Sequence, residues 1–438
     1  MLKVLITSVP LMGHLNAVLS VGRILAEQGH EVIGLSVNAL RDRIEHIGAR
    51  FIPFSGAADL DLRDFAAAYP EFRTMPPGVE MTRFYFERVF ADPLIDQNKG
   101  VQKTIEDFAP DVIIVDNLFL GVLPLLLGPR ANRPPIISVG STYLLWHRPD
   151  SAPGNLGLPP AAKNAYAGIA REVDAAFYKP FGKYINSILT SGGFPALQPD
   201  IRDAVIQLPD ACLQLTVPNF EYPRPDLPPT VHFIGAMPIV ANQAPIPDWA
   251  DELDSSRKVV FVTQGTLSNH DFTQLVGPAL SALENDPDLL VVIGAGGRSI
   301  DELPKPLPAN ARAASYLPFE WLLPKVDVFV TNGGYNTVNQ ALAHGIPLVT
   351  AGLTEDKADV NARVEWSGAG IDLRTNTPTA EALAKAVRCV LNQSRYRSSA
   401  AQLATEFAKF DTRQEVIRIL DELACDAVLT SVKSDGVQ

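Results

Sequence analysis

The chain of 438 residues has only three cysteines, which lie far apart in the sequence at Cys212, Cys389 and Cys425. An odd number of cysteines without paired spacing provides neither a disulfide framework nor the ligand pattern of a zinc site. We therefore expect the three thiols to behave as small apolar groups in a reducing compartment. The motif of a serine nucleophile elbow is missing as well.

Long hydrophobic runs are also missing. The longest apolar block spans residues 118–128 and contains Pro124, whereas a membrane-spanning helix needs about 20 apolar residues. The chain enters a strand at Lys3, and its first apolar run is too short for a signal peptide. We expect a cytoplasmic protein with no membrane span.

Positive charge is scarce relative to negative charge, since 37 Lys and Arg residues face 49 Asp and Glu residues and the net charge is −12. This balance argues against nucleic acid and anionic membranes as partners. It also means that any phosphate has to be held by local dipoles. A content of 47% hydrophobic and 20% charged residues is typical of a soluble globular protein, and the length suffices for two domains.

Strand and helix patterns alternate in both halves of the chain. The first half opens with a buried strand at 3–7, a helix at 15–28 and a strand at 30–37, and a similar series begins at residue 258. Such alternation predicts mostly parallel sheets with right-handed crossovers. Residues 217–248 are rich in proline and predict a stiff connection without regular structure. We expect an α/β protein with domains at residues 1–240 and 241–410, followed by a helix and tail at 411–438.

Two segments of the first half, residues 55–98 and 141–200, lack clean strand patterns and are rich in aromatic residues. Most of these aromatic side chains are expected in small local cores. We expect some of them to line an apolar pocket.

The most informative stretch covers residues 326–359 and reads as strand, glycine turn, helix, strand and charged loop. Gly333 and Gly334 separate the strand from a helix that starts at Tyr335. Glycines allow the backbone to approach a ligand, and the first amides of a helix are unpaired donors at the positive end of its dipole. The pattern predicts an anion site, to which Asn336 and Thr337 add donors.

This stretch resembles the nucleotide-sugar motif of the family 1 glycosyltransferases. The resemblance rests on the spacing of Tyr316-Leu317-Pro318-Phe319, Asn332-Gly333-Gly334-Tyr335-Asn336-Thr337, Gln340, Gly345-Ile346-Pro347 and Asp356-Lys357. It implies the GT-B fold, in which two Rossmann-like domains face each other across a cleft and a C-terminal helix crosses back to the N-terminal domain. It also implies a nucleotide-sugar donor, a small-molecule acceptor, and neither a separate cofactor nor a metal.

His14 is the candidate catalytic base. It follows the first strand in Gly13-His14-Leu15-Asn16, at a helix start that favours the neutral, proton-accepting imidazole. A lone histidine at this place more often caps or packs a helix, but the resemblance places the family's base in such a Gly-His-x-Asn loop. Asp116 ends a later strand and matches the family's orienting aspartate; its alternative role is an N-cap.

Several donor-binding positions depart from the family pattern. Tyr316 stands where a tryptophan stacks on uracil, Asn332 replaces a histidine that contacts phosphate, and Gln340 replaces an acid that holds the ribose. At the sugar, Asp356 retains the acid of the family pair while Lys357 replaces a glutamine, and we expect Lys357 to pair with Asp356 or Glu355. The donor-binding positions implied by the resemblance are Thr266, Tyr316, Leu317, Asn332, Gly333, Gly334, Asn336, Thr337, Gln340, Asp356 and Lys357.

The resemblance thus predicts an inverting, metal-independent glycosyltransferase, a monomer or homodimer. It would move a sugar, most often glucose from UDP-glucose, to a hydroxyl of a phenolic, polyketide or sterol-like acceptor. One alternative is a catalytically silent relative that only binds nucleotide sugars, motivated by Asn332 and Lys357. A second is an NAD(P)-dependent oxidoreductase, suggested by the run Gly294–Gly297, which lacks the full dinucleotide fingerprint and which we interpret as a flexible turn near the nucleotide.

Overall fold

The computed structural model describes residues 1–62, 65–76, 78–238, 244–254, 256–265 and 269–435. The described part of the first half forms a parallel sheet in the order β3-β2-β1-β4-β5-β6-β7. Its strands are β1 (Lys3–Thr7), β2 (Glu31–Ser36), β3 (Arg50–Pro53), β4 (Val112–Asp116), β5 (Ile136–Gly140), β6 (Ala211–Gln214) and β7 (Val231–Phe233). Its helices are α1 (Met12–Glu27), α2 (Arg41–His46), α3 (Phe65–Ala68), α4 (Val79–Phe86), α5 (Leu94–Phe108), α6 (Leu123–Leu126), α7 (Ala167–Val173), α8 (Lys179–Ser191) and α9 (Ile201–Gln207).

The second half forms another parallel sheet, in the order β10-β9-β8-β11-β12-β13. Its strands are β8 (Lys258–Thr263), β9 (Leu289–Gly294), β10 (Ala311–Ala314), β11 (Val328–Thr331), β12 (Leu348–Thr350) and β13 (Gly370–Asp372). The remaining helices are α10 (Val276–Leu283), α11 (Phe319–Leu322), α12 (Tyr335–Ala343), α13 (Lys357–Trp366), α14 (Ala380–Asn392), α15 (Ser394–Phe407) and α16 (Thr412–Asp435). In each sheet the strand order reverses beside the strand that comes first in the sequence, between β1 and β4 and between β8 and β11. Such a reversal creates a ligand-binding crevice at the carboxyl ends of the strands.

The prediction that residues 217–248 lack regular structure was wrong at β7, which pairs with β6 through Cys212 and Val231. Its short Val-His-Phe sequence is surrounded by prolines and lacks the length of a recognisable strand. The predicted charged loop up to residue 359 was also wrong, because α13 already begins at Lys357. The predicted helix at 15–28 corresponds to α1 and differs from it by three residues at the start and one at the end.

The C-terminal helix α16 returns to the first half and packs against α1, as the GT-B resemblance implied. Its buried residues Val416, Ile419 and Leu420 join the apolar core that contains the first sheet. At its start the Thr412 hydroxyl donates to the Ala236 carbonyl over 2.9 Å, and Arg413 pairs with Glu27 of α1.

Buried polar contacts connect the two halves beside this shared core. The Gln214 side-chain amide donates to the Tyr335 hydroxyl over 2.6 Å, and Arg363 pairs with the buried Glu221. Burial alone would raise the pKa of Glu221, but the guanidinium groups of Arg363 and Arg224 hold it below its usual value. No helix among the described residues has the length and apolarity needed to cross a bilayer.

Candidate functional site

A cavity of about 1400 Å³ lies between the two sheets and is lined by residues of both halves. Its walls include the loops after β1, β4 and β5 on one side and after β8, β11 and β12 on the other. Single small-molecule sites usually enclose roughly 300–1,000 Å³. The cavity is therefore large enough for two ligands side by side.

His14 and Asp116 meet on the first-half side of this cavity. The strands β1 and β4 are neighbours, with Thr7 beside Val115, so the loop after β1 lies against the end of β4. His14, in the first turn of α1, has its Nδ1 2.8 Å from Asp116 Oδ1. A carboxylate accepts hydrogen bonds, so Nδ1 carries the proton and Nε2 is the ring nitrogen left to accept one.

The Asp116 carboxylate is held rigidly. It is buried, and it accepts from the backbone amides of Val9 over 2.7 Å and Leu118 over 2.9 Å. The Leu118 contact is a local turn two residues along, and the next helical turn, Leu120–Val122, has Phe119 as its N-cap. The N-cap alternative for Asp116 was therefore wrong, and its two oxygens bind the two amides and the imidazole together.

A second acceptor for the His14 proton was missed by the sequence reasoning. Ser141, just after β5, has its Oγ 2.9 Å from His14 Nδ1. The same hydroxyl donates to Asn117 Oδ1 over 2.9 Å, so its lone pairs remain for the imidazole. Its position at a neighbouring strand end was the signal that could have revealed it.

Aromatic side chains surround the part of the cavity beside His14. Phe90 has its ring centroid 6.0 Å from the His14 ring, and Phe86 meets Phe177 and Phe181 edge to face. The aromatic residues of the two insertions that line the cavity are Phe65, Phe72, Tyr85, Phe86, Phe90, Tyr143, Phe177, Tyr178 and Phe181. This wall offers an apolar surface for a second ligand.

The glycine turn lies on the opposite side of the cavity, at the start of α12. Gly333 has φ of +98°, a conformation that favours glycine. Gly334 is the N-cap, so the first amides of α12 lack intrahelical partners. Gly334, Asn336, Thr337 and Gln340 line the cavity, and Gly333 is not one of its lining residues.

Asn332 and Asn336 differ in how their side chains are engaged. Asn332 donates from Nδ2 to the Gln264 carbonyl over 2.6 Å, so one of its two N–H groups is directed at the backbone of the β8 loop. Asn336 Oδ1 is buried without a hydrogen-bond partner among the described residues. Asn332 also lines the cavity. The predicted contact of Thr266 falls outside the described residues.

Tyr316 and Leu317 belong to the second-half wall of the cavity. Tyr316 is 47% exposed, and Leu317 is buried, and both line the cavity. The Tyr316 hydroxyl packs directly on Gly297, where a Cβ would lie only 2.2 Å from it. A Cβ on Gly296 would lie 2.0 Å from the Gly265 carbonyl oxygen. The turn at 294–297 is therefore packed closely against the loop after β8 and against Tyr316, while Gly294 and Gly296 also line the cavity.

Asp356 and Lys357 lie where α13 begins, and both line the cavity. Lys357 pairs with Glu355, one of the two partners expected for it. Asp356 is partly exposed to the cavity and otherwise enclosed by protein. Burial raises the pKa of its carboxyl, and the neighbouring Lys357 ammonium partly offsets that effect.

Comparison with known proteins identifies the family. Residues 281–423 match the model described as "Erythromycin biosynthesis protein CIII-like, C-terminal domain". A protein named UDP-glycosyltransferase 2 from Phaeomoniella chlamydospora is 37% identical over 96% of this chain and 95% of the relative. The chain belongs to the family 1 glycosyltransferases of the GT-B fold.

A second relative is similar over nearly the whole chain, and a solved structure shares the fold. The 4'-demethylrebeccamycin synthase of Lentzea aerocolonigenes is 36% identical over 96% of this chain and 99% of its own length. The crystal structure of the kitacinnamycin glycotransferase superposes with a TM-score of 0.73 at 20% identity, covering 96% of this chain and 99% of that one. The predicted GT-B fold is confirmed, and the NAD(P)-dependent oxidoreductase alternative was wrong.

Proposed function

We propose that this glycosyltransferase moves a sugar from a UDP-sugar, glucose in particular, to a hydroxyl group of a hydrophobic natural product, with inversion at the anomeric carbon and without a metal. The observation that carries the proposal is the placement of the His14–Asp116 pair across one cavity from the glycine turn at the start of α12. A base on one wall and an anion-binding site on the other are the arrangement that a direct displacement needs at a carbon held between them.

In this reaction His14 is the general base. Its Nε2 takes the proton of the acceptor hydroxyl while the hydroxyl oxygen forms a bond to the anomeric carbon. The bond between that carbon and the β-phosphate oxygen breaks, and the electron pair leaves with UDP. Asp116 stabilises the imidazolium that results, because its carboxylate lies 2.8 Å from Nδ1.

The first amides of α12 receive the diphosphate, whose negative charge grows as the bond breaks. Thr337 and Asn336 lie in the first turn and line the cavity, and Thr266 is proposed as a further donor. Asn332 replaces a residue that carries charge in the family motif, and one of its donors is used on Gln264. The leaving group therefore depends on oriented neutral dipoles, which stabilise developing charge when they point at the place where it forms.

The remaining donor contacts follow the order of the motif. Tyr316 offers a flat face to the uracil, Gln340 contacts the ribose, and Asp356 accepts hydrogen bonds from sugar hydroxyls. UDP as the nucleotide is supported by the name of the Phaeomoniella relative, UDP-glycosyltransferase 2, and glucose by the motif resemblance.

An acceptor of hydrophobic, ring-containing character is supported by the aromatic wall next to His14. The name of the 4'-demethylrebeccamycin synthase also points to natural-product chemistry in this family. The wall is mostly apolar, and its polar groups are the hydroxyls of Tyr85, Tyr143 and Tyr178, so we expect it to select mainly for shape and apolar surface.

The proposal is tested by incubating the protein with UDP-glucose, other UDP- and TDP-sugars and a set of phenolic, polyketide and sterol acceptors, with and without a chelator. Product from UDP-glucose with an inverted anomeric configuration by NMR, unchanged by the chelator, is the expected result. Retention of configuration or loss of activity with the chelator would contradict the mechanism. Tight UDP binding without product from any pair would favour the silent alternative motivated by Asn332.

A further inference from the structure

Asn361 connects the loop before α12 to the loop after β12 without lining the cavity. It lies on α13 and is fully buried. Its Nδ2 donates to the Asn332 carbonyl over 3.2 Å and to the Gly352 carbonyl over 3.0 Å. One side chain is thereby hydrogen-bonded to the loops after β11 and β12, which both contribute to the second-half wall of the cavity.

The backbone around Asn361 is shaped to its side chain. A Cβ on Gly333 would lie 1.8 Å from Asn361 Oδ1, and a Cβ on Gly352 would lie 2.1 Å from the Asn332 carbonyl oxygen. Both glycines are therefore required for the three segments to pack this closely. The Asn361 amide occupies the space that a side chain at position 333 would take.

The two bonds that Asn361 donates determine where the Asn332–Gly333 backbone runs, immediately before the N-cap of α12. Its Oδ1 is buried and has no hydrogen-bond partner within the described part of the chain, so the donated bonds are the contacts on which its role depends.

We propose that Asn361 is a positioning residue for the donor diphosphate. By holding the carbonyl of Asn332, it sets the direction in which the first amides of α12 point into the cavity. This inference rests on the proposed function, in which the start of α12 is the binding site for the diphosphate. It concerns the phosphates and leaves the uridine contacts of Tyr316 unaffected.

Asn310 provides a matched control in the same half of the chain. It is also a buried asparagine whose Nδ2 donates to backbone carbonyls, those of Leu283, Asp286 and Leu289. Its Oδ1 also lacks a partner among the described residues. These partners extend from the end of α10 to the start of β9 and include no residue of the α12 start, so Asn310 reproduces the structural role without contacting the proposed diphosphate site.

The test compares the affinities of UDP and of uridine for the parent, Asn361→Ala, Asn361→Ser and Asn310→Ala, by calorimetry and by competition. We expect Asn361→Ala to weaken UDP binding about tenfold, a change in Kd of the size that the loss of one hydrogen bond produces. Uridine binding should stay near the parent value. Asn361→Ser retains one donor, so its affinity for UDP should lie between those of the parent and Asn361→Ala. Asn310→Ala should lower the melting temperature and leave both affinities unchanged.

Equal loss of UDP and uridine affinity in the Asn361 variants, or no loss of either, would overturn the positioning role. If Asn361→Ala does not fold, the same comparison of UDP with uridine in Asn361→Ser decides the matter. A parent protein that fails to bind UDP would instead overturn the proposed function, and the two failures are thus distinguishable. Steady-state kinetics add a separate readout, since the KM for the donor should rise while the KM for the acceptor stays unchanged.

Discussion

His14 Nδ1 lies 2.8 Å from Asp116 Oδ1 and 2.9 Å from Ser141 Oγ, so two acceptors from neighbouring strand ends share a single imidazole proton. The Ser141 hydroxyl proton points to Asn117, which leaves Ser141 as an acceptor towards the ring. This arrangement favours one tautomer of His14, the one whose Nε2 accepts a proton.

Replacing Asp116 with asparagine should impair turnover while leaving donor binding intact. An amide can present an N–H to Nδ1 and so favour the tautomer with its proton on Nε2, which cannot act as a base. In the Ser-His-Asp triad of a serine protease such a change costs about 10⁴-fold in kcat, and we expect roughly 10²–10⁴-fold here.

The matched control for this change is Asp203→Asn. Asp203 contacts His147 Nδ1 over 3.0 Å, but this histidine is half exposed and lies outside the main cavity. Single-turnover rates of both variants at saturating donor provide the comparison. Equal rates for Asp116→Asn and the parent would show that the carboxylate does not orient the base.

Tyr316 should contribute to nucleotide affinity through its ring. Its side chain is half exposed, so Tyr316→Ala should change stability little, and loss of a stacked base typically costs about 1–3 kcal/mol, or roughly 5- to 150-fold in Kd. Tyr316→Phe retains the ring and should bind UDP nearly as well as the parent. Calorimetric titration with UDP distinguishes these variants, and an unaffected Tyr316→Ala would place the uracil elsewhere.

Asp372 should make the protein less stable as the pH rises. Burial raises the pKa of its carboxyl to about 6, above the unfolded value of about 3.9. The folded state therefore binds the proton more tightly, and this contribution is complete below about pH 4 and is lost as the pH rises through about 6. At neutral pH the buried charge is a net cost.

The variant Asp372→Asn should accordingly raise the melting temperature at pH 7.5. Asparagine retains the oxygen that accepts from the Arg374 amide over 2.9 Å and removes the buried charge, for a gain of roughly 1–3 kcal/mol. At pH 4 the variant and the parent should melt together. A gain of the same size at both pH values would indicate that the charge of Asp372 is not responsible.

Much of the fold was predictable because the signals are local. Buried β-branched strands such as Val112–Asp116, helices closed by glycine, and the turn at Gly333 each carry their own pattern within a few residues. The strands β6, β7, β10 and β13 were missed because each has only three or four residues, and Ala311–Ala314 lacks β-branched residues altogether.

The candidate site was predictable only in part, because its supporting residues depend on the tertiary arrangement. His14, Asp116 and the α12 start follow strands in recognisable motifs. Ser141 and Asn361 belong to no sequence motif. Their contacts are with His14 and Asn332, which lie 127 and 29 residues away in sequence. Contacts of this kind form when parallel strand ends come together, which a linear pattern does not encode.

The most direct measurement of the central claim is the turnover of His14→Ala with saturating donor and acceptor, beside His147→Ala as the control. We predict a fall in kcat of at least about 10²-fold for His14→Ala, the usual contribution of a general base, with UDP affinity unchanged, and near-parent activity for His147→Ala. Turnover of His14→Ala within a few-fold of the parent would contradict the account.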